Sequence, residues 1–254
     1  MDERPFVAPC YTLTWQAPWR WLKLGWNDFT AVPRISLTYG LFVFAVSAFM
    51  AWLAWTVGGW ILLIAMLTGF VFVAPLLAFA LYSVSRQLAQ GGEPSLRQTL
   101  RAVRKPFANA MVFALVLLIV FMVWARAASM VHIFFPIESH PKPVAVLTFL
   151  GIGSAVGSIF AGFSYAAVAF SLPMLANRDV DVVTAVVSSI NAVLRNKWVM
   201  LLWATVIVVM TAVGFLTGLL GLIVVIPWLG YATWHAYRDA IDVSEWPTLP
   251  VDTP

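Results

Sequence analysis

Charge is scarce in this chain. Only 10% of its 254 residues are charged and 62% are hydrophobic, a balance that excludes an ordinary soluble domain. Its single cysteine, Cys10, rules out an intramolecular disulfide or a CxxC pair. Three histidines are too few for a haem–copper oxidase core. Acids are missing where a coupled carrier would need them: all eleven Asp and Glu residues fall outside the long apolar stretches. Proton- and cation-coupled carriers keep an ionisable group at depth. No Walker loop, GxSxG elbow or HExxH occurs, and Ser85, Ser171 and Ser188 have no histidine at a matching depth. His132, Glu138 and His140 share one outer loop, but their spacing is too unspecific to assign zinc or copper. The sequence therefore assigns no catalytic residue, no cofactor and no metal, and it reads as a non-enzyme.

What charge there is has a pattern. Of the fifteen Lys and Arg residues, all but Arg126 and Lys142 fall in the first 35 residues, in connectors near 86–105 and 178–197, or at Arg238. Basic residues beside short loops stay cytoplasmic, so both termini are expected inside. The net charge of +4 would meet anionic lipid headgroups, at about 1 kcal/mol per residue, rather than nucleic acid. The opening MDERPFVAPC lacks the apolar core of a cleavable signal peptide, so the first span is expected to direct insertion.

The fold expected is all-α and polytopic: six transmembrane helices as three hairpins, with amphipathic interfacial helices. Residues 1–35 form a cytoplasmic segment, 36–239 the membrane domain and 240–254 a cytoplasmic tail. The hairpins span 36–82, with Gly58-Gly59 as the turn, then 110–172, then 198–234 with its turn near Gly214. The third is tight, because two crossings of about 20 residues each must share it. One of its helices is short, or the hairpin does not cross fully.

In the N-terminal segment, Trp15, Trp19, Leu22, Trp26 and Phe29 recur at helical spacing, with Arg20 and Lys23 on other faces. Tryptophan beside basic residues suits headgroup depth, so Trp15, Trp19, Trp26, Arg20 and Lys23 are read as interfacial anchors. Two connectors look amphipathic. One starts at Ser95 with Gln98 as its capping-box partner, and sets Leu96, Leu100, Val103 and Phe107 against Arg97, Arg101, Arg104 and Lys105. The other follows Asp179 and Asp181, and carries Val183, Val186, Val187, Ile190 and Leu194.

An internal echo links Gly69, Pro75 and Arg86 to Gly221, Pro227 and Arg238, a constant offset that suggests duplicated hairpins. Arg86 and Arg238 are candidates for lipid-phosphate contact, since guanidinium suits that anion. Arg126 is the one charge inside a span. It snorkels to the outer headgroups or pairs with Glu138. Gly153, Gly157 and Ala161, with Ser154, Ser158 and Gly162 beside them, form small-residue rows for helix packing; Gly214 and Gly218 are read the same way.

Five strings occur in order: WLKLGWND (21–28), SLTYGL (36–41), YSVSR (82–86), SLPML (171–175) and ATWHAYRD (232–239). Through them the chain resembles an uncharacterised family of proteobacterial integral membrane proteins, from about Trp19 to Asp239. The resemblance implies the inner membrane of a Gram-negative bacterium and supplies no activity. It also implies a histidine where this chain has Tyr231, so a histidine pair with His235 is absent here. The reading is a non-enzymatic membrane protein: an accessory or scaffold subunit of another membrane complex, or a lipid-interacting protein. Membrane lipids are its expected partners, with self-association open and no nucleic acid. The alternative is a passive transporter or channel, for which the spans offer only scattered Ser and Thr.

Overall fold

The structure, a computed structural model, describes residues 5–92, 94, 95, 99, 107–134 and 143–249; within its helices it leaves undescribed the side chains of 59–77, 107, 108, 110, 128, 131–134, 143, 145, 146, 149 and 150. The described residues are all-α and polytopic. The helices are α1 (Ala17–Ala31), α2 (Pro33–Leu77), α3 (Phe79–Ala89), α4 (Phe107–Phe134), α5 (Pro143–Val168), α6 (Ser171–Asn177), α7 (Val182–Arg195), α8 (Lys197–Leu216) and α9 (Leu222–Ala240). Among the described residues, Pro33–Gly58, Gly151–Asn177 and Lys197–Leu216 are long and apolar enough to cross a membrane. The connector expected from Ser95 lies largely outside the described residues.

The first hairpin differs from expectation at its turn. Helical backbone continues through Gly58-Gly59 as part of one 45-residue helix. A straight helix would hold Ser36 and Leu77 roughly 60 Å apart at 1.5 Å per residue. Yet the Ser36 hydroxyl is 3.0 Å from that of Tyr231, and Leu81 packs in the same cluster as Tyr231. The chain therefore doubles back within α2, and its ends meet as a hairpin requires.

α9 is the hub. It packs against α1, α2, α3, α6 and α8, with Tyr231, Ala232, Trp234, Ala236, Tyr237 and Ala240 all buried. α1 crosses it steeply. Leu22 and Trp26 lie at Trp228, Gly25 at Ala232, Asp28 at His235, and Arg20 and Trp21 at Asp239, a pairing that fits neither parallel nor antiparallel register. Gly25 is the crossing point, where a Cβ would come 2.6 Å from the Ala232 nitrogen.

The terminal segments are packed. Tyr11 N–H donates to the Ala240 carbonyl and Asp242 N–H to that of Pro9. Ala8 N–H reaches the Ser188 hydroxyl, and the Asn196 side chain holds the backbone of Tyr11 and Leu13. Leu249 N–H donates to the Asn177 carbonyl, and Trp246 is buried. Together they strap α7, whose N-cap Asp181 accepts from Thr184 N–H at 2.9 Å. The inward face of α7 is Thr184, Ala185, Ser188, Ser189 and Ala192, while Val183 and Leu194 from the apolar stripe stay exposed.

Candidate functional site

Motif residues far apart in sequence meet along the C-terminal half of α9. Asp28 of α1 is the centre. Its Oδ2 accepts from the Ser85 hydroxyl of α3 at 2.6 Å and lies 2.9 Å from Nε2 of His235 on α9. One turn away, Tyr231 meets Ser36 of α2, whose hydroxyl also reaches the Phe29 and Val32 carbonyls. On the other side, Asp239 pairs with Arg20 and accepts from Trp21 Nε1 at 2.9 Å. Further along, Asn177 of α6 donates to the Tyr237 hydroxyl at 2.9 Å.

Expectation and structure part at Ser85. The sequence left it without a histidine at its depth; the structure brings His235 to the same carboxylate. The reason is tertiary: α3 and α1 both dock on α9, which carries His235. The order is nonetheless Ser–Asp–His with the acid in the middle. A nucleophilic serine needs imidazole on its hydroxyl, and here the hydroxyl donates to carboxylate, with no hydrogen bond joining Ser85 to His235. Such a node ties α1, α3 and α9 together. It supplies two metal-ligating side chains at most, and among the described residues no group of three or more His, Cys, Asp or Glu could hold an ion.

The proposed anchors divide. Trp15, Trp19, Trp26 and Lys23 are exposed. Arg20 is exposed as well, but bound to Asp239. Trp21, unassigned by the sequence reading, is fully buried and meets Trp203 edge-on at 5.4 Å. Its signal was available: Trp21, Gly25 and Asp28 share a helical face.

Arg86 and Arg238, equivalent in the echo, are not equivalent in space. Arg86 is only 3% exposed, donates to the Ala176 carbonyl at 3.0 Å and leaves its Nε without a partner. Burial holds its guanidinium below the ordinary arginine range. Arg238 is exposed. A lipid phosphate can reach the second directly, but the first only by entering the protein.

Gly153 and Gly162 face open space, Ala161 is exposed, and Gly157 has the Trp124 indole nitrogen 3.9 Å from where its Cβ would be. These rows contribute little to packing within the chain. Gly214 does pack, against Leu222, whereas Gly218 has φ +65° and serves the turn. Arg126 is exposed and has no partner among the described residues; Glu138 and the side chains of His132 and His140 lie outside them.

Outside the spans, two carboxylates are shifted. For Asp181, burial pushes upward but is outweighed by hydrogen bonds from Thr184 and the adjoining backbone, so it titrates below the usual range. Asp242 is held low mainly by its bonds with Ser244.

No curated protein and no solved structure matches the chain. Residues 62–177 match a family described as predicted integral membrane protein (DUF2189). This stretch includes Ser85, Arg86 and Asn177, three of the residues that dock on or beside the hub. Over residues 62–177, then, the chain is similar to a family of predicted integral membrane proteins.

Proposed function

We propose that this is a non-enzymatic, lipid-embedded accessory or scaffold subunit of a larger membrane assembly, in the inner membrane of a Gram-negative bacterium with both termini cytoplasmic. One observation carries the reading: the polar motif groups are used internally. Asp28, Ser36, Ser85, His235, Asp239, Asn177 and Tyr237 bond to one another or to neighbouring backbone and side chains. What faces outward on the spans is mostly apolar, such as Leu41, Phe42, Met122, Val123, Val208 and Val209, with exposed Arg126 an exception. A rigid polar clamp inside an apolar exterior suits a protein whose work is to be held and to hold others in lipid.

The exposed Trp15, Trp19, Trp26 and Lys23 on the steeply crossing α1 support a membrane-surface role for that helix. Exposed Arg238 adds a cation for anionic headgroups. A passive channel would need a polar stripe along a path, and no observation favours one.

The test is extraction of the full chain from native membranes in mild detergent, followed by native mass spectrometry. A stoichiometric integral membrane partner supports the subunit reading. The chain alone, carrying only lipid or its own copies, overturns it. Reporter fusions at Ser139 should read outside and at Gly91 and Asn177 inside; an outside signal at Asn177 would reverse the topology.

A further inference from the structure

The tip of the third hairpin stands at an unusual height. α2 and α9 run antiparallel, with Ser36 at Tyr231 and Val43 in one cluster with Leu222 and Ile226. Gly40 marks the closest approach, where a Cβ would overlap the Ile223 carbonyl. The α8–α9 turn is therefore level with Val43, and Leu219 of that turn packs on this same cluster. α2 continues from Val43 to Gly58, about 15 residues or about 22 Å further. That extension is apolar and ends in Trp52 and Trp55, exposed by 61% and 62%. Tryptophan at that exposure marks an interface. From Arg34 to Trp55 is about 32 Å of helix, one hydrocarbon thickness. Measured along α2, the turn lies close to halfway.

The turn is also made for a dry place. Residues 217–221 read Thr-Gly-Leu-Leu-Gly, without a charge, Asn or Pro. Three of the five N–H groups of this turn, those of Thr217, Gly218 and Gly221, are bonded within the hairpin tip itself. Thr217 N–H donates to Val213, Gly218 N–H to Phe215, Leu222 N–H to Leu219 and Ile223 N–H to Leu220. The Thr217 hydroxyl donates to the Gly214 carbonyl at 2.9 Å and accepts from Gly221 N–H at 2.8 Å. Yet Leu216 is 87% exposed, with Leu220 exposed beside it. Non-helical backbone at membrane depth is tolerated where protein packs against it. Here Gly214 lies on Leu222, and Phe215 and Leu219 pack on the cluster of Val43, Leu222 and Ile226. Leucines as exposed as Leu216 and Leu220 fit acyl chains rather than water.

We infer that the α8–α9 hairpin is re-entrant: it enters from the side of the termini, reverses near the bilayer midplane and presents Leu216 and Leu220 to lipid acyl chains. The third of the expected hairpins then stands at half height. This inference does not depend on the scaffold reading.

The test uses the full chain in a Cys10→Ser background with single cysteines, L220C, L216C or W55C, each spin-labelled and reconstituted into phosphatidylcholine–phosphatidylglycerol vesicles. Collision rates with oxygen and with a water-soluble nickel chelate report depth. Both tip labels should favour oxygen and exclude nickel by at least tenfold relative to the W55C label. Nickel access at Leu216 or Leu220 equal to that at Trp55 overturns the inference, whether it reflects a full crossing or a water-filled vestibule. Two tip positions guard against one variant misfolding.

Discussion

The two helices of the third hairpin differ in a way that a soluble protein would reverse. α8 is the more uniformly apolar, yet it buries only Val199, Met200, Trp203 and Gly214. α9 carries Tyr231, Trp234, His235, Tyr237, Arg238 and Asp239, and it is the more enclosed. In water, apolar surface is driven inward. In lipid that drive between helices is absent, and packing and hydrogen bonds decide which helix lies inside. α9 is central because its side chains hydrogen-bond to α1, α2 and α6, whereas those of α8 are mostly apolar.

The contrast can be broken by substitution, most sharply at the hub. Trp234 is 1% exposed, and Trp234→Ala should destabilise by about 3–5 kcal/mol, read as a large fall in the denaturation midpoint in detergent. Asp28→Ala strands Ser85 and His235 and should cost about 2–3 kcal/mol. In a cycle with His235→Ala the coupling should exceed about 1 kcal/mol; strictly additive effects would mean the two groups do not act as a pair. Gly40→Val, which forces a side chain onto the Ile223 carbonyl, should cost about 2 kcal/mol through overpacking.

Asp181→Ala removes the α7 cap, at about 1 kcal/mol, and should change the response to pH. Because Asp181 and Asp242 titrate lower folded than unfolded, their contribution is complete above the unfolded carboxylate value of about 3.9. It is lost as pH falls through their folded values. Melting followed from pH 7 to pH 3 should show a shallower decline in the double Asp181→Asn, Asp242→Asn variant; an unchanged slope would remove these groups from the account. The smallest effect belongs to α8. Val209 is 55% exposed, and Val209→Ala should stay within about 0.5 kcal/mol. A loss as large as that of Trp234→Ala would mean that face is covered by protein rather than lipid.

Trp19 and Trp21 show how far one-dimensional reading reaches. Trp15, Trp19, Leu22, Trp26 and Phe29 form a stripe that spacing identifies as one face; its three tryptophans lie exposed, but Phe29 of the same stripe is buried. Trp21 lies on another face whose partners, Trp203 and Asp239, are about 180 and 218 positions away, and periodicity says nothing about partners. Arg86 and Arg238 teach the same lesson. A constant offset made them look equivalent, but one faces the Ala176 carbonyl inside the protein and the other faces out.

Composition and hydropathy settled the solvent of this protein, because about 20 apolar residues in succession have nowhere to go but a bilayer. The alternation of basic connectors with apolar runs likewise pointed to several crossings, and three helices among the described residues are long and apolar enough for one. Both are local properties, legible because the membrane acts on each segment separately. Only the tertiary structure decided that Asp28, Ser85 and His235 share one hydrogen-bonded node, that the chain at the two ends of α2 meets at Tyr231, and that the turn after α8 sits level with Val43. Each of these depends on which helix docks where and at what height, and that is set by close approaches such as Gly25 on Ala232 and Gly40 on Ile223, contacts that a glycine in the sequence permits but does not name.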